Sequence, residues 1–172
     1  MNKVVFTILG QPVAKGRPRF RRLPTGAVMA YTPSKTGDYE RRVRAVAGRT
    51  MDGHPAFSGA VSVRVMVNME IPQSWSKIKR QQAASGVLLP ISRPDLDNIV
   101  KAVLDAINGV VFNDDSQITD LILSKRYGPP SVKVIVSKID GTPYSVQSDA
   151  AKDILDSISL ASIVNDDGEP HA

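Results

Sequence analysis

Asp95, Asp97, Lys101, Asp114 and Asp115 fall within 21 residues and carry the side chains best suited to chemistry. Carboxylates this dense repel one another unless a cation neutralises them. Hard oxygen donors with no histidine or cysteine nearby favour Mg2+ or Mn2+ over zinc. An EF-hand does not fit, because the turn lacks the glycine and the closing glutamate at loop spacing. A divalent metal held by carboxylates beside a lysine, on a basic chain, suits phosphodiester hydrolysis. The metal supplies activated water and charge stabilisation, and the lysine stabilises developing negative charge or assists the water. The ordinary alternatives stay open: Asp95 as a helix cap, Asp114-Asp115 as a solvated turn, and Asp97 with Lys101 as a surface ion pair.

These residues are positioned by a helix and the turn after it. Pro94 fixes φ and suits a helix start, and Asp95 is placed to cap it. Leu96, Ile99, Val100, Val103, Leu104 and Ile107 then recur at helical period, and Asn108-Gly109 is a stop signal. On the opposite face, Asp97, Lys101 and Asp105 follow at i, i+4 and i+8. Residues 110–112 are a turn or a strand edge, and 113–116 a polar turn.

Elsewhere, 60–71 is the clearest strand of the chain, Val61, Val63, Val65 and Val67 alternating with Ser62, Arg64, Met66 and Asn68. Strands are also expected at 4–9, 118–127 and 131–139, with a return strand of a hairpin at 26–31. Helices are expected at 36–48 and 74–84, the second capped by Ser74. The fold class is α+β: a mixed sheet of four to five strands flanked by helices. Residues 1–140 form one domain, and 141–172 an acidic tail with an amphipathic helix at 149–164.

Charge is unevenly spread along the chain. Residues 1–139 hold 21 basic and 10 acidic side chains, a net of +11, whereas 140–172 hold one lysine and seven acids, a net of −6. A core so basic implies a polyanionic partner. Lys15, Arg17, Arg19, Arg21 and Arg22 lie within eight residues that also include Pro18, a density suited to phosphate contact. Arg93 and the segment bearing Lys77, Lys79 and Arg80 extend that surface. Trp75, the one tryptophan, belongs either to the core or to a DNA-facing arm on which bases stack. The tail either packs on a partner subunit or damps non-specific binding.

The run RPDLDNIVKAVLDAINGVVFNDDSQI resembles the signature of the RusA-family Holliday junction resolvases. GQPVAKGRPRF, YTPSKTGDYE and IPQSWSKIKR are similar to the opening and middle of the phage-type branch. The resemblance spans about residues 3–138. It implies a homodimeric, Mg2+-dependent endodeoxyribonuclease that makes paired nicks, leaving 5′-phosphates, at four-way DNA junctions. It also implies that Asp95, Asp97 and Asp115 are metal ligands, that Asp114 supports them, and that Lys101 acts with them; Asp105 is read as structural.

Two rival readings differ in class. One is a branched-DNA-binding protein without catalysis; the other is a D-x-D metal enzyme acting on nucleotides or sugars, disfavoured because no glycine-rich phosphate loop is present. The absence of cysteine excludes disulfides and thiolate metal sites. No secretory signal or membrane-length apolar run is found, so a cytoplasmic, non-membrane protein is expected.

Overall fold

A computed structural model describes residues 1–17, 19–31 and 34–139; the expected tail helix lies outside these residues. The elements in order are β1 (Lys3–Leu9), β2 (Arg19–Arg22), β3 (Val28–Tyr31), α1 (Ser34–Met51), β4 (Val61–Met69), α2 (Lys77–Ala84), α3 (Leu96–Ile107), β5 (Ile118–Tyr127) and β6 (Ser131–Lys138). A short 3-10 turn over Asp115–Gln117 leads into β5. The fold is α+β, as the patterning implied.

Four strands form one mixed sheet in the order β1-β6-β4-β5. β6 is antiparallel to β1 and to β4, whereas β4 and β5 are parallel. Parallel neighbours need a long crossover, and the stretch carrying α2 and α3 supplies it. β2 and β3 form a separate two-stranded ribbon, so the return strand expected at 26–31 pairs, over Val28–Tyr31, with the arginine-bearing Arg19–Arg22.

Period two dictates which side of the sheet is covered. Val61, Val63, Val65 and Val67 of β4 are buried, with Val132, Val134 and Val136 of β6 and Val4, Phe6 and Ile8 of β1. These pack in one core with Tyr39, Val43 and Ala47 of α1 and with Ile99, Val103 and Ile107 of α3. Ser62, Arg64, Met66 and Asn68 take the opposite, half-buried face. Truncating a fully buried residue such as Ile99 to alanine should cost about 2–5 kcal/mol.

α3 ends where expected. Gly109 takes a φ of 70°, which suits glycine, and its amide donates to the carbonyl of Phe112 at 2.8 Å. Arg44 of α1 reaches the Asn108 carbonyl at 3.2 Å. Two boundaries differ from the expectation. α1 starts at Ser34 and runs to Met51, longer at both ends. Ser76, not Ser74, caps α2, its hydroxyl accepting from the Lys79 amide at 3.4 Å. Among the described residues no helix is long and apolar enough to cross a membrane.

Candidate active site

Asp95 occupies the cap position of α3, and its backbone carbonyl accepts from Ile99 at 3.2 Å. Its side chain makes no capping hydrogen bond. Asp95 is thus the N-cap by backbone position, as expected, but its carboxylate is not used for capping and is left exposed. Asp97 follows in the first turn, also exposed, with exposed Lys101 one turn further. Neither carboxylate has a side-chain partner among the described residues, and both face solvent at the positive end of the helix dipole.

Two long-range contacts fix this helix start. Lys125 of β5 donates from Nζ to the carbonyls of Ser92 and Pro94, at 3.0 and 3.1 Å. On the other side, the Lys15 amide donates to the carbonyl of Asn98 at 2.8 Å. The first turn of α3 is thus clamped between β5 and the segment that leads to the β2–β3 ribbon. In the sequence Lys125 reads only as part of the basic surface, because nothing in a strand pattern says which backbone carbonyls lie beneath a lysine.

Asp114 and Asp115 are placed differently. Asp114 accepts from the Ser116 amide at 2.9 Å, while its own amide donates to Gln117 Oε1 at 2.8 Å, a reciprocal capping box. The Ser116 hydrogen bonds pull the Asp114 carboxyl below its ordinary pKa. Gln117 in turn donates from Nε2 to the carbonyls of Gly59 and Phe57, at 2.7 and 3.1 Å. Asp114 is therefore committed to shaping the turn, which presents Asp115 exposed at the first position of the 3-10 turn.

That turn lies at the far end of β5 from Lys125. At about 3.3 Å per residue, Ile118 and Lys125 are roughly 23 Å apart along the strand. α3 spans the same interval in reverse, its 12 residues covering about 18 Å. Asp95 and Asp97 thus sit at one end of this helix–strand unit and Asp115 at the other. Among the described residues no three histidine, cysteine, aspartate or glutamate side chains come close enough to hold one metal ion. Two unpaired carboxylates at the start of α3 still suit Mg2+, which keeps several waters and takes one or two protein carboxylates alongside substrate phosphate.

The basic residues divide. Arg17, Arg21, Arg93, Lys77, Lys79 and Arg80 are exposed, and Arg19 lies on β2. Lys15 departs from the expected phosphate-binding role. Its ammonium is held by Glu40 of α1 at 2.5 Å and Asp105 of α3 at 2.8 Å. It ties the two helices together and is not a free cation, which also gives Asp105 a structural partner. Burial lowers the Lys15 pKa, but the hydrogen bonds and charges of Asp105 and Glu40 outweigh that and leave it raised. Trp75 is engaged as well: its ring meets Tyr127 edge-on, centroids 5.3 Å apart, and Lys79 Nζ lies 4.0 Å from its centroid. These contacts favour an anchoring role over a DNA-stacking one.

A mixed sheet, a clamped helix start with two exposed carboxylates and a lysine, and exposed basic side chains suit an enzyme of the nuclease class. Residues 10–137 match the family described as Endodeoxyribonuclease RusA. The chain is also 38% identical over 142 residues to "Uncharacterized protein YqaN" of Bacillus subtilis (strain 168), covering 81% of this chain and 99% of that protein. The chain belongs to the RusA endodeoxyribonuclease family.

Proposed function

We propose that this chain is a Mg2+-dependent, structure-selective endodeoxyribonuclease that resolves four-way DNA junctions by paired, symmetric nicks, in DNA recombination and repair. The observation that carries the proposal is the state of Asp95 and Asp97: exposed, without a side-chain partner among the described residues, and clamped at a helix start, with Lys101 one turn away. Carboxylates left in this condition are poised for a hard divalent cation, Mg2+ or Mn2+. Bound there, the metal would supply a water nucleophile at neutral pH and stabilise charge on the scissile phosphate. Lys101 places a positive charge toward the same phosphate, and Arg93 and Arg17 hold the flanking backbone.

A symmetric homodimer fits both the substrate and the site. A four-way junction has approximate two-fold symmetry, and two strands must be cut, which a two-fold dimer with two sites meets. The separation of Asp115 from Asp97 within one chain adds a reason. If Asp115 is the third ligand, the partner subunit must bring it to the start of α3.

The test is cleavage of a labelled synthetic four-way junction beside a linear duplex of the same sequence, with Mg2+ or with EDTA. Symmetric nicks in the junction alone, lost with EDTA, are expected. Equal cutting of the duplex would remove junction selectivity, and binding without nicking would leave a non-catalytic junction-binding protein.

A further inference from the structure

A groove of about 980 Å³ lies between α2 and the turn joining β5 to β6. Its lining is mainly apolar and includes Tyr127 and Pro130, and Lys77 and Arg80 line its helical side. Neither cation has a salt-bridge partner among the described residues. The side-chain amides of Gln73 and Gln81, also on the lining, have no hydrogen-bond partner there either. Glu70, the one acid on the lining, accepts a hydrogen bond from Gln11. The groove thus combines an apolar lining, two amides that can read a polar edge, and two cations three residues apart on one helix face, all four polar groups without a partner among the described residues.

We propose that this groove receives one unpaired nucleotide of the bound DNA, displaced from the stack at the branch point. The inference rests on the nuclease reading of the start of α3. Four observations support this occupant. A nucleobase offers an apolar face to Tyr127 and Pro130 and a donor–acceptor edge to the glutamines. Its flanking phosphates suit Lys77 and Arg80. Tyr127 is held in place by the Trp75 ring, whose plane lies at 73° to its own, so the platform is preorganised. The groove also opens beside the catalytic end of the fold. Tyr127 is two residues beyond Lys125 on β5, roughly 7 Å along the strand, and Lys125 holds the carbonyl that precedes Asp95. A strand whose phosphate lies at Asp97 is within reach of the groove with a neighbouring nucleotide. Gln73 and Gln81 would then set the nucleotide preference around the cut.

The test uses the full chain carrying Asp97→Asn, so that DNA stays intact, and a four-way junction with 2-aminopurine at the branch point or within a paired arm. A rise in fluorescence of about threefold or more is expected at the branch point and none in the arm, as for a base leaving its stack. Adding Ala84→Trp, which fills the groove from an exposed position, should abolish the rise. Gln81→Leu, a milder change, should at least halve it. Ile78→Ala, on the exposed outer side of α2, should leave it unchanged. The same rise with Ala84→Trp, or none with the Asp97→Asn parent on a bound junction, would overturn the groove assignment. A duplex with a single bulged 2-aminopurine separates the two readings. A rise on the bulge that Ala84→Trp abolishes, from a chain whose wild type never nicks junctions, would uphold the groove and defeat the nuclease reading. Junction nicking by wild type, with bulge and branch-point signals indifferent to Ala84→Trp, would do the reverse.

Discussion

Lys125 donates from its ammonium to the carbonyl of Pro94 at 3.1 Å, so the second strand of a parallel pair fixes the residue just before Asp95. A second bond, to Ser92 at 3.0 Å, makes the clamp two-pronged. Hydrogen bonds from a charged donor are worth about 1.5–3 kcal/mol, and here they order a loop rather than the core. Lys125→Met should therefore cut Mg2+-dependent nicking about tenfold through misplacement of the carboxylates, with junction affinity within about threefold of wild type. Nicking and binding titrations on one junction check this; unchanged nicking would show that the clamp does not position the site.

Asp114 and Asp115 are adjacent but not equivalent. Asp114 caps the turn through Ser116, and an asparagine oxygen can accept the same bond. Asp114→Asn should keep most activity, within about fivefold of wild type, because the cap is retained. Asp115→Asn should lower nicking by about a thousandfold or more if its carboxylate is a ligand. Because the Asp114 carboxyl is held below its ordinary value, its contribution is present above that value and is lost as pH falls through the lower folded value. The turn should therefore stay formed through mildly acidic pH. Single-turnover rates of the two variants, compared with wild type, discriminate the roles; equal losses would contradict the division.

Lys15 bridges Glu40 and Asp105 and so couples α1 to α3. Replacing it with methionine leaves two carboxylates facing each other across the helix interface, and should cost about 2–4 kcal/mol, less than a fully buried pair because the site keeps some solvent. The Lys15 pKa is raised from 10.5. Its stabilising effect is complete below that value and disappears as pH rises through the higher folded value. Urea unfolding of wild type and Lys15→Met, at neutral pH and again near pH 11, should show the gap between them narrowing in alkali.

Tyr39 is 2% exposed, and its hydroxyl finds no hydrogen-bond partner among the described residues. Burial pushes its pKa up to about 12 against a smaller opposing effect of Arg42. The folded state thus holds a proton that the unfolded chain releases from about pH 10 upward, so stability declines between there and about pH 12. Tyr39→Phe removes both the orphan hydroxyl and that titration. It should be neutral or stabilising by up to about 1 kcal/mol at pH 7, and the fall in melting temperature from pH 9 to pH 11 should be shallower. A loss above about 2 kcal/mol at pH 7 would mean that the hydroxyl has a partner after all.

Much of the fold was legible because it rests on short-range periodicity. The valine alternation of β4, the apolar stripe of α3 and the Asn108-Gly109 stop depend on neighbours within a turn or a pleat, and the structure realises each. The contacts that position the site connect residues far apart in sequence. Lys125 reaches 31 residues back to Pro94, and Lys15, between β1 and β2, is held by Asp105 of α3. A basic residue looks the same in sequence whether it awaits a phosphate or already has a carboxylate, which is why Lys15 was expected at the DNA. Trp75 illustrates the same limit, its platform partner Tyr127 lying on a distant strand. The separation of Asp115 from Asp97 also escapes a linear reading. Closeness in sequence suggested one cluster, whereas α3 and β5 run antiparallel and carry the two halves to opposite ends.

Co-expression of Asp97→Asn and Asp115→Asn chains, followed by isolation of the mixed dimer through two different tags, tests the central claim most directly. On a labelled four-way junction with Mg2+, each variant alone should be inactive, since each lacks one ligand in both sites. The mixed dimer should regain nicking, confined to one strand per binding event, because one of its two shared sites has Asp97 from one subunit and Asp115 from the other. A wild type that fails to nick the junction would contradict the nuclease reading itself. A mixed dimer as inactive as its parents, beside an active wild type, would contradict the sharing of Asp97 and Asp115 between subunits.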